Sequence, residues 1–216
     1  MKALLIKLLS AVPFLKELFM IRATHKFYLQ AKGWTRSARS GESLDQTGKA
    51  LPWLTYPFLH FLQSKSLSDV RMVEFGSGAS TAWFAERVKH IHSIEHVKPW
   101  FQKVKTMLTA YQNTTQHLIE DLHQYPKACQ ELGIRDIDLL LVDGRERVSC
   151  IKHSLDHLSE RGVVVLDNAQ RPRYQEAFDV LHSKGFRSIT FAGISPGIPT
   201  EEWTTVFYRD SNVLAI

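Results

Sequence analysis

Two glycines and a later acidic residue have the spacing of a cofactor site. An apolar segment at 72–75 ends at Gly76, and Gly78 lies directly before residues that favour a helix. Glycine at this turn lets backbone N–H groups approach a ligand, because no Cβ is in the way, and the helix start favours a carboxylate. Glu95 lies 17 positions after Gly78 and ends the next apolar segment. A carboxylate there can accept both hydroxyls of a ribose. The pattern therefore predicts a site for an adenosyl cofactor.

A second polar group follows two later apolar segments. Asp143 comes directly after 136–142, and Asp167 and Asn168 come at the end of 162–166. In open α/β sheets, ligands bind beyond the carboxyl ends of the strands, so these side chains are expected to converge. Their oxygens would suit Mg²⁺ or Ca²⁺. Two alternatives to a metal stay open, because such residue pairs are common in turns and nearby arginines can neutralise the carboxylates.

The segments that position these residues alternate between strands and helices. Strands are predicted at 71–75, 90–95, 116–120, 136–142, 162–166, 187–192 and 204–209, and helices at about 52–63, 79–88, 98–112, 122–132, 146–160 and 172–184. This alternation predicts a doubly wound, Rossmann-like α/β fold, with a seven-stranded, mostly parallel sheet covered on both faces. No helix-length segment separates the last two strands, so the last strand is expected to be antiparallel.

The N-terminal part of the chain differs in pattern. Residues 1–50 are predicted to form a helical extension and a loop, and residues 51–216 the α/β domain. Apolar residues recur at helical spacing in residues 1–20, but lysines and a proline break the run, which cannot span a bilayer. This helix is expected either to pack on the domain or a partner, or to lie on a membrane surface. Residues 31–50, rich in Gly, Ser and charge, are predicted to be a loop.

Composition and the remaining motifs narrow the possible functions. The net charge of +5 comes from scattered basic residues, without the basic stripe that would favour nucleic acid. Cys129 and Cys150 lack metal-ligand spacing and favour a reduced, cytoplasmic protein. The segment 193–197 matches G-x-S-x-G, but prolines follow the serine and no histidine comes after it, which disfavours a hydrolase. His153 and His157 are four residues apart in a predicted helix, and a solvated face accounts for them more simply than a metal.

Over residues 52–209 the sequence resembles the class I S-adenosylmethionine-dependent methyltransferases. The resemblance rests on the motif VEFGSG at 73–78, on Glu95, on Glu120-Asp121 after the third strand, and on Val142-Asp143-Gly144 after the fourth. The closing strand pair adds to it. The resemblance implies S-adenosylmethionine as the cofactor.

The resemblance also implies which residues contact the cofactor. The methionine end would lie against the glycine turn, the ribose against Glu95 and the adenine near Asp121. The implied contacts are Glu74, Gly76, Ser77, Gly78, Ser80, Thr81, Glu95, Asp121 and Asp143. Similarity to the catechol O-methyltransferase-like group implies Asp143, Asp167 and Asn168 as Mg²⁺ ligands, with Asp143 and Asp167 as catalytic residues. A metal-free role for Asp143 beside the methyl group or the acceptor hydroxyl remains open.

The predicted function is methyl transfer, with an oxygen of a small-molecule, glycan or lipid-linked acceptor as the target. Four arginines follow the acidic positions: Arg145, Arg147, Arg171 and Arg173. They indicate either an acidic or phosphate-bearing substrate or ordinary surface charge. Two alternatives are a nicotinamide-dependent oxidoreductase, whose motif needs a third glycine where this chain has Thr81, and a non-catalytic protein that retains the fold.

Overall fold

The computed structural model describes residues 13–216, so the first part of the predicted N-terminal helix lies outside the described residues. The internal contacts divide the chain into two units. One contains the chain up to Lys49 together with Pro196–Ile198, and the other contains Ala50–Ser195 and Pro199–Ile216. The second unit contains nearly all of the sheet.

Within residues 13–216, the strands form one seven-stranded sheet. They are β1 Arg71–Phe75, β2 His90–Glu95, β3 Thr114–Leu118, β4 Ile137–Val142, β5 Leu158–Asp167, β6 Arg187–Ser195 and β7 Ile198–Tyr208. Their order in the sheet is β3-β2-β1-β4-β5-β7-β6. The pairs among β3, β2, β1, β4 and β5 are parallel, whereas β5 pairs with β7 antiparallel. This topology confirms the predicted fold class, including the antiparallel last strand.

Helices join these strands, and most are shorter than predicted. They are α1 Pro13–Thr24, continued by a π-helical turn at His25–Leu29, then α2 Trp34–Ser40, α3 Tyr56–Gln63, α4 Ala79–Ala85, α5 Lys98–Met107, α6 Ala128–Glu131, α7 Arg147–Ser154 and α8 Gln175–Ser183. Turns of 3₁₀ helix precede α6 and α8, and each contains a proline near its start, Pro126 and Pro172. A third 3₁₀ turn, Leu155–His157, follows α7 and replaces the predicted end of that helix.

The core is built on the central strands, because a parallel strand covered on both faces must be apolar throughout. All six residues of β4 are buried, and Asp138 is the charged one among them. Its carboxylate accepts hydrogen bonds from the side chains of Arg71, Ser159 and Arg161 and from the Arg71 backbone. Burial alone would raise the pKa of Asp138, but these hydrogen bonds outweigh it and lower the pKa to about 2.

The predicted loop at 31–50 contains a helix, α2, which corrects the sequence prediction. Gly33 and Gly41 flank α2 in left-handed conformations, with φ of 82° and 69°. The buried Ser37 hydroxyl donates to the Leu44 carbonyl at 2.9 Å and accepts the Leu44 N–H at 3.0 Å. The serine and glycines that predict a loop therefore serve to close the turn after a short helix.

Several strand boundaries also differ from the prediction, and β5 begins at Leu158, four residues before its predicted start. The segment predicted as a loop between the last two strands is mostly strand, because a turn of Pro196 and Gly197 is sufficient to connect β6 and β7. Gly197 has a φ of 75°, which glycine adopts without strain. The edge strand β3 begins and ends two residues before its predicted position, and all five of its residues are only partly buried. Its apolar pattern is therefore weak.

Most large apolar side chains of α1 and of the π-helical turn are exposed. Phe14, Ile21 and Phe27 expose 69%, 60% and 73% of their surface. Basic residues are interspersed with them, at Lys16 and Arg22 for example. Among the described residues, no helix combines the length and hydropathy that a membrane span requires.

Candidate active site

A cavity of about 690 Å³ lies where the strands β1, β2, β4 and β5 end, within the size range of cofactor sites. In the sheet, β1 and β4 are neighbours, and the chain leaves them in opposite directions, toward β2 and toward β5. Ligands of open α/β folds bind at such a reversal of strand order. The predicted cofactor contacts that line the cavity are Gly76, Ser77, Glu95 and Asp143.

The two glycines of the turn after β1 have different roles. Gly76 has a φ of 101°, and a Cβ on it would lie 2.8 Å from the Gly144 nitrogen, so the chain itself requires glycine here. Gly78 has an extended φ of 177°, and a Cβ on it would meet nothing closer than the Ser80 hydroxyl at 3.8 Å. No contact within the described chain therefore excludes a side chain at position 78.

The backbone N–H groups of the turn already have partners. Gly76 N–H donates to the Ile94 carbonyl at 2.9 Å, and Gly78 N–H donates to the Thr81 hydroxyl at 2.9 Å. Ser77 N–H donates to Glu95 Oε2 at 3.1 Å. These hydrogen bonds stabilise the turn itself, and the use of the same groups for a ligand stays a prediction.

Glu74 lies beneath the turn and does not line the cavity. Its carboxylate is fully buried and accepts hydrogen bonds from the hydroxyls of Ser80, Thr81 and Ser93. Burial raises the pKa of Glu74 to about 7, although the three hydroxyls oppose the shift. Four of the predicted cofactor contacts do not line the cavity: Glu74, Gly78, Ser80 and Thr81. The hydrogen bonds from Ser80 and Thr81 to Glu74 connect β1 to α4.

Glu95 lines the cavity with most of its acceptor capacity already used. Its Oε2 accepts Ser77 N–H, and its Oε1 accepts the N–H groups of His96 and Val97, each at 2.8 Å. A carboxylate can accept about four hydrogen bonds, which leaves room for one more. The role of Glu95 as a partner of the ribose hydroxyls stays a prediction, and these three hydrogen bonds leave it capacity for one hydroxyl while the turn keeps its present form.

The residues after β4 and β5 are joined by an arginine that the sequence predicted at the cavity mouth. Arg147 is buried and donates to Asp143 Oδ1 at 2.8 Å, to the Asp143 carbonyl at 2.9 Å and to the Gly144 carbonyl at 3.0 Å. The same guanidinium donates to the Asp167 carbonyl and lies 3.9 Å from Asp167 Oδ2. The Asp167 carboxylate also accepts the Thr204 hydroxyl at 2.9 Å.

Asp143 and Asp167 have different access to the cavity. The Asp143 side chain is about 26% exposed and lines the cavity, whereas Asp167 is buried and does not. Burial raises the pKa of Asp143, and the positive charges of Arg147 and Arg171 only partly offset the effect. Burial and the charge of Asp143 raise the pKa of Asp167 well above its ordinary range. Of the two predicted catalytic residues, only Asp143 can touch a ligand in the cavity.

Comparison with known families adds to this geometry. Residues 73–169 match the family model of a methyltransferase domain. The match begins within β1 and ends just after β5, so it contains the glycine turn, Glu95 and Asp143. The matched segment, slightly less than half of the chain, therefore has the pattern of a methyltransferase domain.

Solved structures share the fold of this methyltransferase at low sequence identity. A precorrin-6y C5,15-methyltransferase from Geobacter metallireducens is 14% identical, with a TM-score of 0.57 and coverage of 71% of this chain and 87% of that chain. Fibrillarin from Aeropyrum pernix, with natively bound S-adenosylmethionine, is 12% identical, with a TM-score of 0.55 and coverage of 70% and 74%. An O-methyltransferase from Thermotoga maritima is 16% identical, with a TM-score of 0.52 and coverage of 70% and 64%. Curated proteins yield no match.

The methyltransferase cavity also has lining residues that were not predicted from the sequence. Trp100, in the first turn of α5, donates its indole N–H to the Ser77 carbonyl at 2.6 Å and keeps 40% of its surface exposed. His96 and Tyr174 also line the cavity. The sequence feature that could have identified Trp100 is its position five residues after Glu95, close to the end of β2. Asp121, by contrast, is an exposed residue that accepts the His123 N–H and does not line the cavity.

The donor set at the end of β4 and β5 does not fit a divalent metal. Arg147 places a positive charge between the two carboxylates, where a cation would have to bind. Asn168 has a φ of 51°, a conformation that asparagine tolerates better than most residues, so the backbone accounts for it. Among the described residues, no group of three His, Cys, Asp or Glu side chains could hold a metal ion. The geometry therefore argues against the predicted Mg²⁺ ligands Asp143, Asp167 and Asn168.

The G-x-S-x-G segment and the histidine pair lack functional geometry in this methyltransferase. Ser195 ends β6 and donates to Glu202, with a hairpin turn rather than a helix after it. His153 is exposed, whereas His157 is buried with its ring nitrogen 2.8 Å from the Ile134 carbonyl. The two histidines therefore do not share the solvated helix face that the sequence indicated.

Proposed function

We propose that this protein transfers the methyl group of S-adenosylmethionine to an oxygen of an acceptor. The observation that carries the proposal is the single cavity that brings Gly76, Ser77, Glu95 and Asp143 together within a methyltransferase domain. The cofactor carries positive charge on its sulfonium and ammonium groups, and the carboxylates of Glu95 and Asp143 complement these charges.

In this proposal the cofactor occupies the part of the cavity formed after β1 and β2. Glu95 accepts one ribose hydroxyl with its remaining acceptor capacity, and the exposed indole of Trp100 packs against the adenosyl group. Gly78 leaves the space above the turn open for the methionine end. Glu74 and its three hydroxyl partners hold the turn in place and do not contact the cofactor.

The chemical step is a single displacement in this proposal. The acceptor oxygen forms a bond to the methyl carbon while the bond between that carbon and sulfur breaks, and the electron pair stays on sulfur. The acceptor proton passes to the Asp143 carboxylate, whose raised pKa suits it to accept a proton. The cavity contributes mainly by holding donor and acceptor in line. No step requires a metal, because Arg147 already donates to Asp143 Oδ1 and lies 3.9 Å from Asp167 Oδ2.

Calorimetry with S-adenosylmethionine, S-adenosylhomocysteine and NADH tests the proposal. We expect both sulfur ligands to bind and NADH to give no heat. Binding of NADH alone would support the oxidoreductase alternative. Absence of binding heat with all three ligands would support the non-catalytic alternative. A Mg²⁺ titration of protein loaded with S-adenosylhomocysteine should give no binding. Binding that disappears in Asp143→Asn would refute the metal-free site.

We also propose that α1 and the π-helical turn lie on an anionic membrane surface at the cytoplasmic face. The support is the exposure of Phe14, Ile21 and Phe27 next to the basic residues Lys16 and Lys26. Apolar side chains would enter the boundary of the acyl chains, while the lysines would approach the phosphate groups. Such a location would bring a lipid-linked acceptor close to the enzyme.

A further inference from the structure

The guanidinium groups in the cavity differ in how fully their hydrogen-bonding capacity is used. Arg147 is bound to Asp143 and to backbone carbonyls, as described above. Arg173 donates to the Tyr174 hydroxyl at 3.0 Å and lies over the Tyr174 ring, 4.9 Å from its centre. The guanidinium groups of Arg145 and Arg171 make no hydrogen bond or ion pair with any residue in the described range 13–216. Arg171 is also partly buried, and its charge acts on Asp143 only through space, without a hydrogen bond.

The acidic residues of the cavity cannot supply these partners as the chain stands. Glu95 is bound to three backbone N–H groups, and Asp143 is bound to Arg147. Glu146 is exposed, and its carboxylate makes no hydrogen bond or ion pair with either arginine. The charge that is left without a partner in the cavity is therefore mainly positive.

The arginines and the proposed cofactor contacts come from different strands. Gly76, Ser77 and Glu95 follow β1 and β2, whereas Arg145 and Arg171 follow β4 and β5. Because the sheet order is β2-β1-β4-β5, the arginines belong to the other side of the cavity, and Asp143 at the end of β4 stands between the two groups.

Resting on the proposed function, we propose that Arg145 and Arg171 bind an anionic group, a carboxylate or a phosphate, on the methyl acceptor. The planar guanidinium matches both anions, since it can donate two parallel hydrogen bonds. An anion held there would place the rest of the acceptor beside Asp143, where its hydroxyl loses a proton. The acceptor is thus a hydroxyl compound with an acidic group, such as a uronic acid or a phosphorylated sugar.

The experiment uses the full chain saturated with S-adenosylhomocysteine. Phenyl phosphate, benzoate and the neutral benzamide serve as probes and are titrated by calorimetry into wild type, Arg145→Gln and Arg171→Gln. Arg135→Gln is the matched control, because Arg135 is exposed and lies outside this cavity. We expect an anion to bind wild type and Arg135→Gln equally, and about tenfold or more weakly to either cavity variant. Benzamide should not bind, and the stronger anion identifies the acidic group.

Three results would overturn the proposal. The first is that neither anion binds wild type. The second is that both anions bind the cavity variants as tightly as wild type. The third is that the variants lose affinity for S-adenosylhomocysteine itself. The third result would assign the arginines to the cofactor carboxylate instead. Failure of wild type to bind S-adenosylhomocysteine would refute the proposed function separately, and the same anion titrations would then show whether the arginines form an anion site at all.

Discussion

Arg147→Met should destabilise the protein far more than the loss of a surface charge. The guanidinium donates to Asp143 Oδ1 at 2.8 Å and to carbonyls of residues that follow β4 and β5, and only 7% of its side chain is exposed. Removing one partner of a buried ion pair costs about 3–5 kcal/mol, because the other charge is left unpaired. Asp143 keeps some contact with water, so we expect a loss of about 3 kcal/mol at pH 8, measured by urea unfolding.

The loss should depend on pH in a defined direction. Burial raises the folded-state pKa of Asp143 and of Asp167 above the unfolded value, and removing Arg147 raises both further. The folded protein then binds more protons than the unfolded chain, so stability falls as pH rises. The penalty of Arg147→Met should therefore be smaller at pH 5, where the carboxyls can take up protons, than at pH 8.

Two controls separate this effect from a general loss of packing. Arg135→Met removes an exposed arginine from the same unit and should change the free energy of unfolding by about 0.5 kcal/mol or less. Adding Asp143→Asn to Arg147→Met should restore part of the stability, because it removes the unpaired charge. A loss below about 1 kcal/mol, or one that is equal at pH 5 and pH 8, would refute the view that Arg147 replaces a metal.

Other predictions follow from single contacts. Gly78→Ala should unfold at the same urea concentration as wild type and bind S-adenosylmethionine about tenfold or more weakly. Gly76→Ala should lose stability as well. Unchanged affinity of Gly78→Ala by calorimetry would contradict the proposed position of the cofactor. Asp138→Asn should cost about 2 kcal/mol at pH 7, and the difference should vanish below about pH 2, because the low folded pKa gives stability that is lost as pH falls from about 4 to 2. Phe27→Glu should reduce co-sedimentation with phosphatidylserine vesicles, and the exposed control Leu122→Glu should not; equal sedimentation would exclude a membrane contact through the π-helical turn.

The sheet could be predicted because its strands are short, apolar and separated by helix-length segments. The observed β1 and β2 have the predicted bounds, Arg71–Phe75 and His90–Glu95, and most of their residues are buried. The helix α2 could not be predicted, because it depends on the Ser37 hydroxyl reaching Leu44. Such a contact is set by the folded chain and not by the propensity of a segment rich in serine and glycine.

The site could be predicted only in part, for a similar reason. Gly76, Glu95 and Asp143 follow strand ends, so the fold places them at one cavity. Arg147 follows a strand end too, but its role depends on a side chain that returns across the ends of β4 and β5. From the sequence, any of the nearby arginines could neutralise the carboxylates, and nothing in it indicates that the position of α7 brings Arg147 to Asp143.

The contact between Arg147 and Asp143 has a consequence for catalysis. A metal would bind the acceptor oxygen and lower its pKa directly, whereas a buried guanidinium bound to Asp143 cannot do so. What Arg147 can do is fix the Asp143 side chain, through the hydrogen bond at 2.8 Å and the backbone contacts on either side of it. A carboxylate held in one orientation can align an acceptor hydroxyl with the methyl carbon before reaction, and alignment alone can supply several kcal/mol of a bimolecular barrier. The other residues of the cavity must then bind the other end of the acceptor. Arg145 and Arg171 line the same cavity, and the proposed anion site assigns this role to them.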